Sequence, residues 1–90
     1  MDDIKAIREE IDRIDDSMAA LFERRMKLAC EIARAKRKGG VPVFAPDRER
    51  EIVERIAGNA DPSFAEDIRQ LYAAVFSISK ARQRALGASV

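Results

Sequence analysis

Seven side chains in this sequence have the types and spacing expected of a site that binds a small anion. They comprise four cations, one carboxylate, one hydroxyl and one amide. Such a set suits a compact polyanion, and it also suits a unimolecular rearrangement catalysed by orientation and by stabilisation of shifting charge. The sequence contains no His, so the usual base at neutral pH is missing. The seven residues are Arg8, Arg25, Lys36, Arg48, Glu49, Ser79 and Gln83.

Arg25 interrupts an otherwise apolar series in the first third of the chain. The series advances in alternating steps of three and four residues, which predicts a helix that packs along another helix. A guanidinium in such a seam is costly to bury unless an anion meets it, so a partner carboxylate or a ligand is expected there. A polar residue that only sets the packing register is the alternative. The apolar members are Ile4, Ile7, Ile11, Ile14, Met18, Leu21, Leu28, Ile32 and Ala35.

Helix geometry indicates that the basic residues of the first predicted helix cannot all contact one small ligand within a single chain. Lys36 lies about 20° around the helix from Arg25 and about 16 Å along it, so the two can line one groove. Arg8 lies about 25 Å from Arg25 in the opposite direction, too far for one small ligand. In an antiparallel two-fold pair that crosses near Met18 to Leu21, Arg8 of one chain would face the Arg25–Lys36 groove of the other.

Composition predicts a small all-helical protein. Of its 90 residues, 37% are charged, and the four Gly and three Pro cluster mainly in two places, which favours helices joined by two connections. A net charge of +1 gives no general attraction to nucleic acid or to an acidic membrane. The single Cys30 excludes an internal disulfide and fits a reducing cytoplasm. We therefore expect one cytoplasmic domain over residues 1–90, without a signal peptide, a membrane span or a metal cluster.

Three helices are predicted from the turn and capping signals. The third is expected to open with a capping box in which Ser63 is the N-cap and Glu66 its partner. A first helix of some 35 residues would be about 52 Å long, more than a 90-residue globule can cover, so a dimer is expected. The predicted spans run from Asp2 or Asp3 to Lys38, from Pro46–Asp47 to Gly58–Asn59, and from Ser63 to about Leu86.

An ordered set of residues, spread over almost the whole chain, carries a family resemblance. The set consists of Arg8 within Ile7–Ile11, Asp15, Arg24–Arg25, Lys36, Pro42–Val43, Asp47–Arg50, Ser79 and Gln83. In order and spacing it resembles the all-helical class of chorismate mutases. The resemblance implies an intertwined antiparallel homodimer of three-helix chains with two equivalent active sites. It also implies the Claisen rearrangement of chorismate to prephenate, on the way to phenylalanine and tyrosine, without a cofactor.

The resemblance also implies a role for each matching residue. Arg25 and Arg8 of the other chain would hold the two carboxylates of the substrate. Lys36 and Gln83 would donate hydrogen bonds to the ether oxygen, which gains negative charge as the carbon–oxygen bond breaks. Hydrogen-bond donors directed at an oxygen that gains negative charge during the reaction agree with the chemistry expected from the residue types alone.

The remaining positions separate two related activities. Glu49 would accept a hydrogen bond from the ring hydroxyl, and Arg48 and Ser79 would complete the wall and the carboxylate contacts. Ala45 stands where these mutases often have an acidic residue, and residues 45–48 also resemble isochorismate–pyruvate lyases. Glu49 favours the mutase, because the lyase pattern has a small apolar residue there. A non-catalytic helical dimerisation or regulatory module, with Arg25 setting the register, is a third hypothesis.

Overall fold

The computed structural model describes residues 2–42 and 45–86 and contains three α-helices with one short 3₁₀ turn. No strand occurs within these ranges, so the all-α prediction is confirmed there. Val43, which forms part of the family resemblance, lies outside the described residues. The elements are α1 (Asp2–Lys38), α2 (Pro46–Asn59), the 3₁₀ turn (Pro62–Phe64) and α3 (Ala65–Ala85).

The end of α1 forms a glycine cap directly after Lys38, the predicted last residue of this helix. Gly40 adopts a left-handed backbone with φ of 70°, a conformation that glycine reaches without steric cost. The Gly40 N–H donates to the Arg37 carbonyl at 3.1 Å, and the Val41 N–H donates to the Lys36 carbonyl at 2.8 Å. This pair of hydrogen bonds is a Schellman motif. It ends the helix directly after Lys38 and fixes the backbone of Lys36.

The start of α3 differs from the predicted capping box. The Ser63 hydroxyl donates to the Asp61 carboxylate at 2.7 Å, and the Ser63 N–H donates to the same oxygen at 2.8 Å. Because an ionised carboxylate is a stronger acceptor than a hydroxyl, Asp61 rather than Ser63 is the side chain that caps this end. The expected role of Ser63 as N-cap is therefore wrong, and α3 begins at Ala65, two residues later.

The core is small and centred on α3. Helices α1 and α2 each pack against α3. Between α1 and α2 themselves, no two described Cα atoms lie within 8 Å of each other. A cleft is therefore left between α1 and α2, with α3 at its base. The buried apolar residues are Met26, Cys30 and Ala33 of α1, Ile52 and Ala57 of α2, and Val75 and Phe76 of α3.

The apolar seam predicted for α1 is not buried within the single chain. Leu28 and Ile32 are 52% and 57% exposed, because the neighbouring stripe of Met26, Cys30 and Ala33 is the one that faces α3. Apolar residues of α3 and of the turn before it are also exposed, namely Leu71, Ile78 and Phe64. The molecule measures 57 × 25 × 15 Å, so the N-terminal half of α1 extends beyond the packed part.

Candidate active site

A cavity of about 290 Å³ occupies the cleft between α1 and α2. Six of the seven predicted site residues line it, which brings together side chains up to 58 positions apart in sequence. Four apolar residues and two alanines complete the wall, together with Lys80, which is not among the seven predicted site residues. The lining consists of Arg25, Leu28, Ala29, Ile32, Lys36, Ala45, Arg48, Glu49, Ile52, Phe76, Ser79, Lys80 and Gln83.

Arg25 is held in this cavity by aromatic rings. Its guanidinium carbon lies 5.8 Å from the centre of the Tyr72 ring and 5.5 Å from that of Phe76, both within cation–π range. The two rings meet edge to face at 5.8 Å, so together they form a fixed platform. No ion pair to Arg25 or Lys36 occurs among the described residues. Both cations can therefore engage an anionic ligand without first breaking a salt bridge.

Ser79 and Gln83 form a polar pair one helical turn apart on α3. Ser79 is buried, and its hydroxyl oxygen accepts a hydrogen bond from Gln83 Nε2 at 3.0 Å. A glutamine amide carries two N–H groups, so one is used to fix the side chain and a second is left for a ligand. Because Ser79 and Gln83 are four residues apart, they share one face of α3, and the hydrogen bond between them makes Gln83 an anchored donor.

Glu49 reaches the cavity from the first turn of α2, where its N–H donates to the Ala45 carbonyl at 3.1 Å. Its Oε1 lies 3.5 Å from Lys80 Nζ on α3, and each side chain is 27% exposed. The signal for Lys80 was present in the sequence, because it lies three residues before Gln83 and four after Phe76. Those spacings place it on the same face of α3 as both residues.

Arg48 lines the rim of the cavity and not its interior. Its Nη1 donates to Glu51 at 2.7 Å, and the two side chains are 58% and 69% exposed. Exposed ion pairs of this kind contribute about 0–1 kcal/mol, so a ligand carboxylate could displace Glu51 at little cost.

Arg8 lies apart from the other six residues. It belongs to a shallow surface on the N-terminal half of α1, and within one chain the structure does not bring it to the cavity. That surface carries three further charged residues and one apolar one: Ile4, Lys5, Glu9 and Asp12.

The charge of the cavity differs from that of the whole chain. Four cations and one carboxylate line it, a formal balance of +3, whereas the chain as a whole carries +1. The described residues contain no group of three or more His, Cys, Asp or Glu placed to hold a metal ion. Among the described helices, none is both long enough and apolar enough to cross a membrane. The positive formal charge of the cavity lining therefore favours a small anion with several hydrogen-bond acceptors as the ligand.

Known proteins share this sequence pattern and this fold. Over 56 residues the chain is 46% identical to a bifunctional chorismate mutase/prephenate dehydratase of Aquifex aeolicus, covering 62% of this chain and 16% of the relative. Over 83 residues it is 36% identical to the bifunctional chorismate mutase/prephenate dehydratase of Escherichia coli, covering 90% and 22%. The chain thus spans less than a quarter of the length of these two relatives.

A solved structure agrees with the sequence relatives. The chorismate mutase (form II) of Thermus thermophilus superposes with a TM-score of 0.85 at 30% identity, covering 90% of this chain and 93% of that one. Residues 7–84 match the family described as chorismate mutase type II, a range that includes all seven predicted site residues. This chain belongs to the chorismate mutase type II family.

Proposed function

We propose that this chain catalyses the Claisen rearrangement of chorismate to prephenate. The observation that carries the proposal is the single cavity in which Arg25, Lys36, Glu49 and Gln83 converge from three helices. Its cations suit the two carboxylates of chorismate, and its lining contains neither Cys nor His as nucleophile or base. Family membership supports the same reaction.

Catalysis follows from charge that moves during the reaction. As the carbon–oxygen bond of the ether breaks and the new carbon–carbon bond forms, electron density accumulates on the ether oxygen. Lys36 and the second N–H of Gln83 donate hydrogen bonds to that oxygen. Because that oxygen carries more negative charge in the transition state than in the substrate, these hydrogen bonds stabilise the transition state more than the ground state. No proton leaves the substrate, so no base is required.

Orientation of the substrate is the second contribution. Arg25, fixed on the Tyr72–Phe76 platform, binds one carboxylate, and Arg48 contacts a carboxylate at the rim after exchanging its Glu51 partner. Glu49 accepts the hydrogen bond of the ring hydroxyl. Holding the flexible substrate in its reactive conformation removes much of the entropy cost of the rearrangement.

The complete site requires a second copy of the chain. Six apolar residues on the N-terminal half of α1 are between 47% and 60% exposed. In an antiparallel homodimer crossing near Met18 to Leu21, this stripe is covered and Arg8 of one chain reaches the cavity of the other. The buried Cys30 thiol suits a reducing compartment, and we place the dimer in the cytoplasm. The six residues are Ile4, Ile7, Ile11, Ile14, Met18 and Leu21.

The test is product identification with two substrates. Purified protein in a chelator-containing buffer is incubated separately with chorismate and with isochorismate. The expected product is prephenate from chorismate. Arg25→Met should abolish the reaction, whereas Arg24→Met, which removes an exposed neighbouring cation, should leave it within about twofold of wild type.

Each other outcome favours a different function. Pyruvate released from isochorismate, with no prephenate from chorismate, would favour the lyase. If neither substrate reacts and chorismate leaves the melting temperature unchanged, the chain is a non-catalytic helical module.

A further inference from the structure

Lys80 lines the cavity, but the reaction proposed above assigns it no role. It follows Ser79 on α3, and its Nζ lies 3.5 Å from Glu49 Oε1 on α2. At 27% exposure for both side chains, this is the most sheltered ion pair among the described residues. A carboxylate that is partly desolvated interacts more strongly with a cation than an exposed one does.

The Glu49–Lys80 pair also forms a partition between two spaces. A groove of about 410 Å³ lies between α2 and α3 on the far side of the cavity. Glu49, Lys80 and Phe76 line both spaces, so the ion pair and the ring separate them. Movement of the Glu49 side chain toward the groove would withdraw its carboxylate from the cavity.

We propose that Lys80 is a positioning residue that acts through Glu49, an inference that rests on the proposed mutase activity. Lys80 engages Oε1 of Glu49 and leaves Oε2 to accept the hydrogen bond of the ring hydroxyl. It also balances a negative charge that would otherwise repel the two carboxylates of the substrate. A flexible acidic side chain is thereby held in one orientation and made compatible with an anionic ligand.

A purely structural role for the ion pair is the competing explanation. The structure provides a matched control, because Arg69 also bridges α3 to α2, with Nη2 3.7 Å from Glu54 Oε2. Arg69 lines only the far groove and does not reach the cavity. If cross-helix ion pairs matter only for packing, loss of either cation should have similar effects.

The experiment compares Lys80→Met, Lys80→Arg and Arg69→Met with wild type, and combines Lys80→Met with Glu49→Gln. Lys80→Met should lower kcat/KM for chorismate at least about fivefold, mainly by raising KM, because it removes ground-state binding. Lys80→Arg should recover activity to within about twofold, and Arg69→Met should stay within the same range. In the Glu49→Gln background, Lys80→Met should cause no further loss, because no negative charge is left to position or balance.

Several results would overturn the assignment. Additive losses in the double variant would show that Lys80 acts independently of Glu49. Equal losses in Lys80→Met and Arg69→Met, accompanied by equal drops in melting temperature, would reduce the pair to a packing role. If either result is obtained while the wild-type protein still forms prephenate from chorismate, the mutase proposal stands and only the role of Lys80 is rejected. Absence of prephenate formation by the wild-type protein would instead reject the mutase activity, and the Lys80 inference with it.

Discussion

At the scale of single residues, Arg25 combines two interactions that are usually separate. Its guanidinium rests against Tyr72 and Phe76 and also lines the cavity. A guanidinium can contact rings through its face and donate hydrogen bonds from its edge. Aromatic packing thus restricts the side chain without using its donors. This arrangement explains how an always-charged residue is tolerated in a helix seam that has no carboxylate partner within the described chain.

Gln83 provides a prediction at the same scale. Replacing it by Glu should lower activity at neutral pH by about 100-fold, because an ionised carboxylate cannot donate to the ether oxygen. Activity should rise toward acid as the carboxyl becomes protonated and regains an O–H donor. Steady-state rates across the acid-to-neutral range would test this. Gln83→Leu, which has no donor at any pH, is the control, and equal profiles for the two variants would contradict the assignment.

At the scale of elements, α1 carries two apolar stripes with different partners. Met26, Cys30 and Ala33 are buried against α3 within one chain. The stripe from Ile4 to Leu21 has no partner within the described chain and stays about half exposed. Apolar area left open along a helix of 37 residues is the feature that a second chain would cover.

The exposed stripe leads to a prediction about assembly. Ile11→Glu should weaken the dimer by more than about 100-fold, since each interface would lose two buried isoleucine side chains and gain two charges. Sedimentation velocity should show monomers, and prephenate formation should be lost together with the dimer. Arg13→Gln makes the same change in net charge two residues along and serves as the control. A dimer that persists in Ile11→Glu would place the interface elsewhere.

The turn before α3 gives a second prediction at this scale. The Ser63 hydroxyl, and after it the Ser63 N–H, hold the pKa of Asp61 below its ordinary value of 3.8. A carboxyl with a lowered folded pKa contributes stability that is complete above the unfolded pKa and is lost as pH falls through the folded one. Asp61→Ala should therefore have a lower melting temperature than wild type at neutral pH, with the difference shrinking below about pH 3.8.

Thermal denaturation over a pH series measures this difference. Asp61→Asn, which keeps an acceptor oxygen but not the charge, should fall between wild type and Asp61→Ala. A difference between wild type and Asp61→Ala that stays constant from neutral pH to strong acid would show that the carboxylate charge does not contribute.

At the scale of the whole molecule, the predicted role of Arg8 in the active site requires two chains. Seventeen residues of helix separate Arg8 from Arg25, and Arg8 does not line the cavity of its own chain. A site that uses both arginines must therefore combine two chains. The long, narrow shape of the single chain, 57 Å in its longest dimension, suits such an exchange of helix ends.

Mixing of inactive variants tests this arrangement. Arg8→Ala and Arg25→Ala homodimers should each be nearly inactive, because every site lacks one carboxylate contact. Refolded together in equal amounts, they should form heterodimers in which one site carries both substitutions and the other carries neither. Random pairing should then restore about a quarter of the wild-type sites. Heterodimers that form without recovery of prephenate production would show that both arginines act within one chain.

Local sequence signals determined the helices and their ends well. Cations followed by Gly39–Gly40 predict the end of α1, and Pro46–Asp47 predicts the start of α2, because these signals depend only on neighbouring backbone groups. The start of α3 was predicted less well, because the Asp61 carboxylate accepts both the N–H and the hydroxyl of Ser63, and a 3₁₀ turn precedes the helix. Spacing along a helix also placed Arg25 with Lys36, and Ser79 with Gln83, on common faces.

Only the tertiary structure decided which stripe of α1 faces α3 and which side chains complete the cavity. Met26, Cys30 and Ala33 are no more apolar than Leu28 and Ile32, so the choice depends on how three helices fit together and not on periodicity. Helix spacing places Lys80 on the same face as Gln83, but its carboxylate partner, Glu49, lies 31 residues away on another helix, so only the structure shows their ion pair. A sequence shows which residues share a helix face, whereas contacts between helices depend on packing that no local pattern encodes.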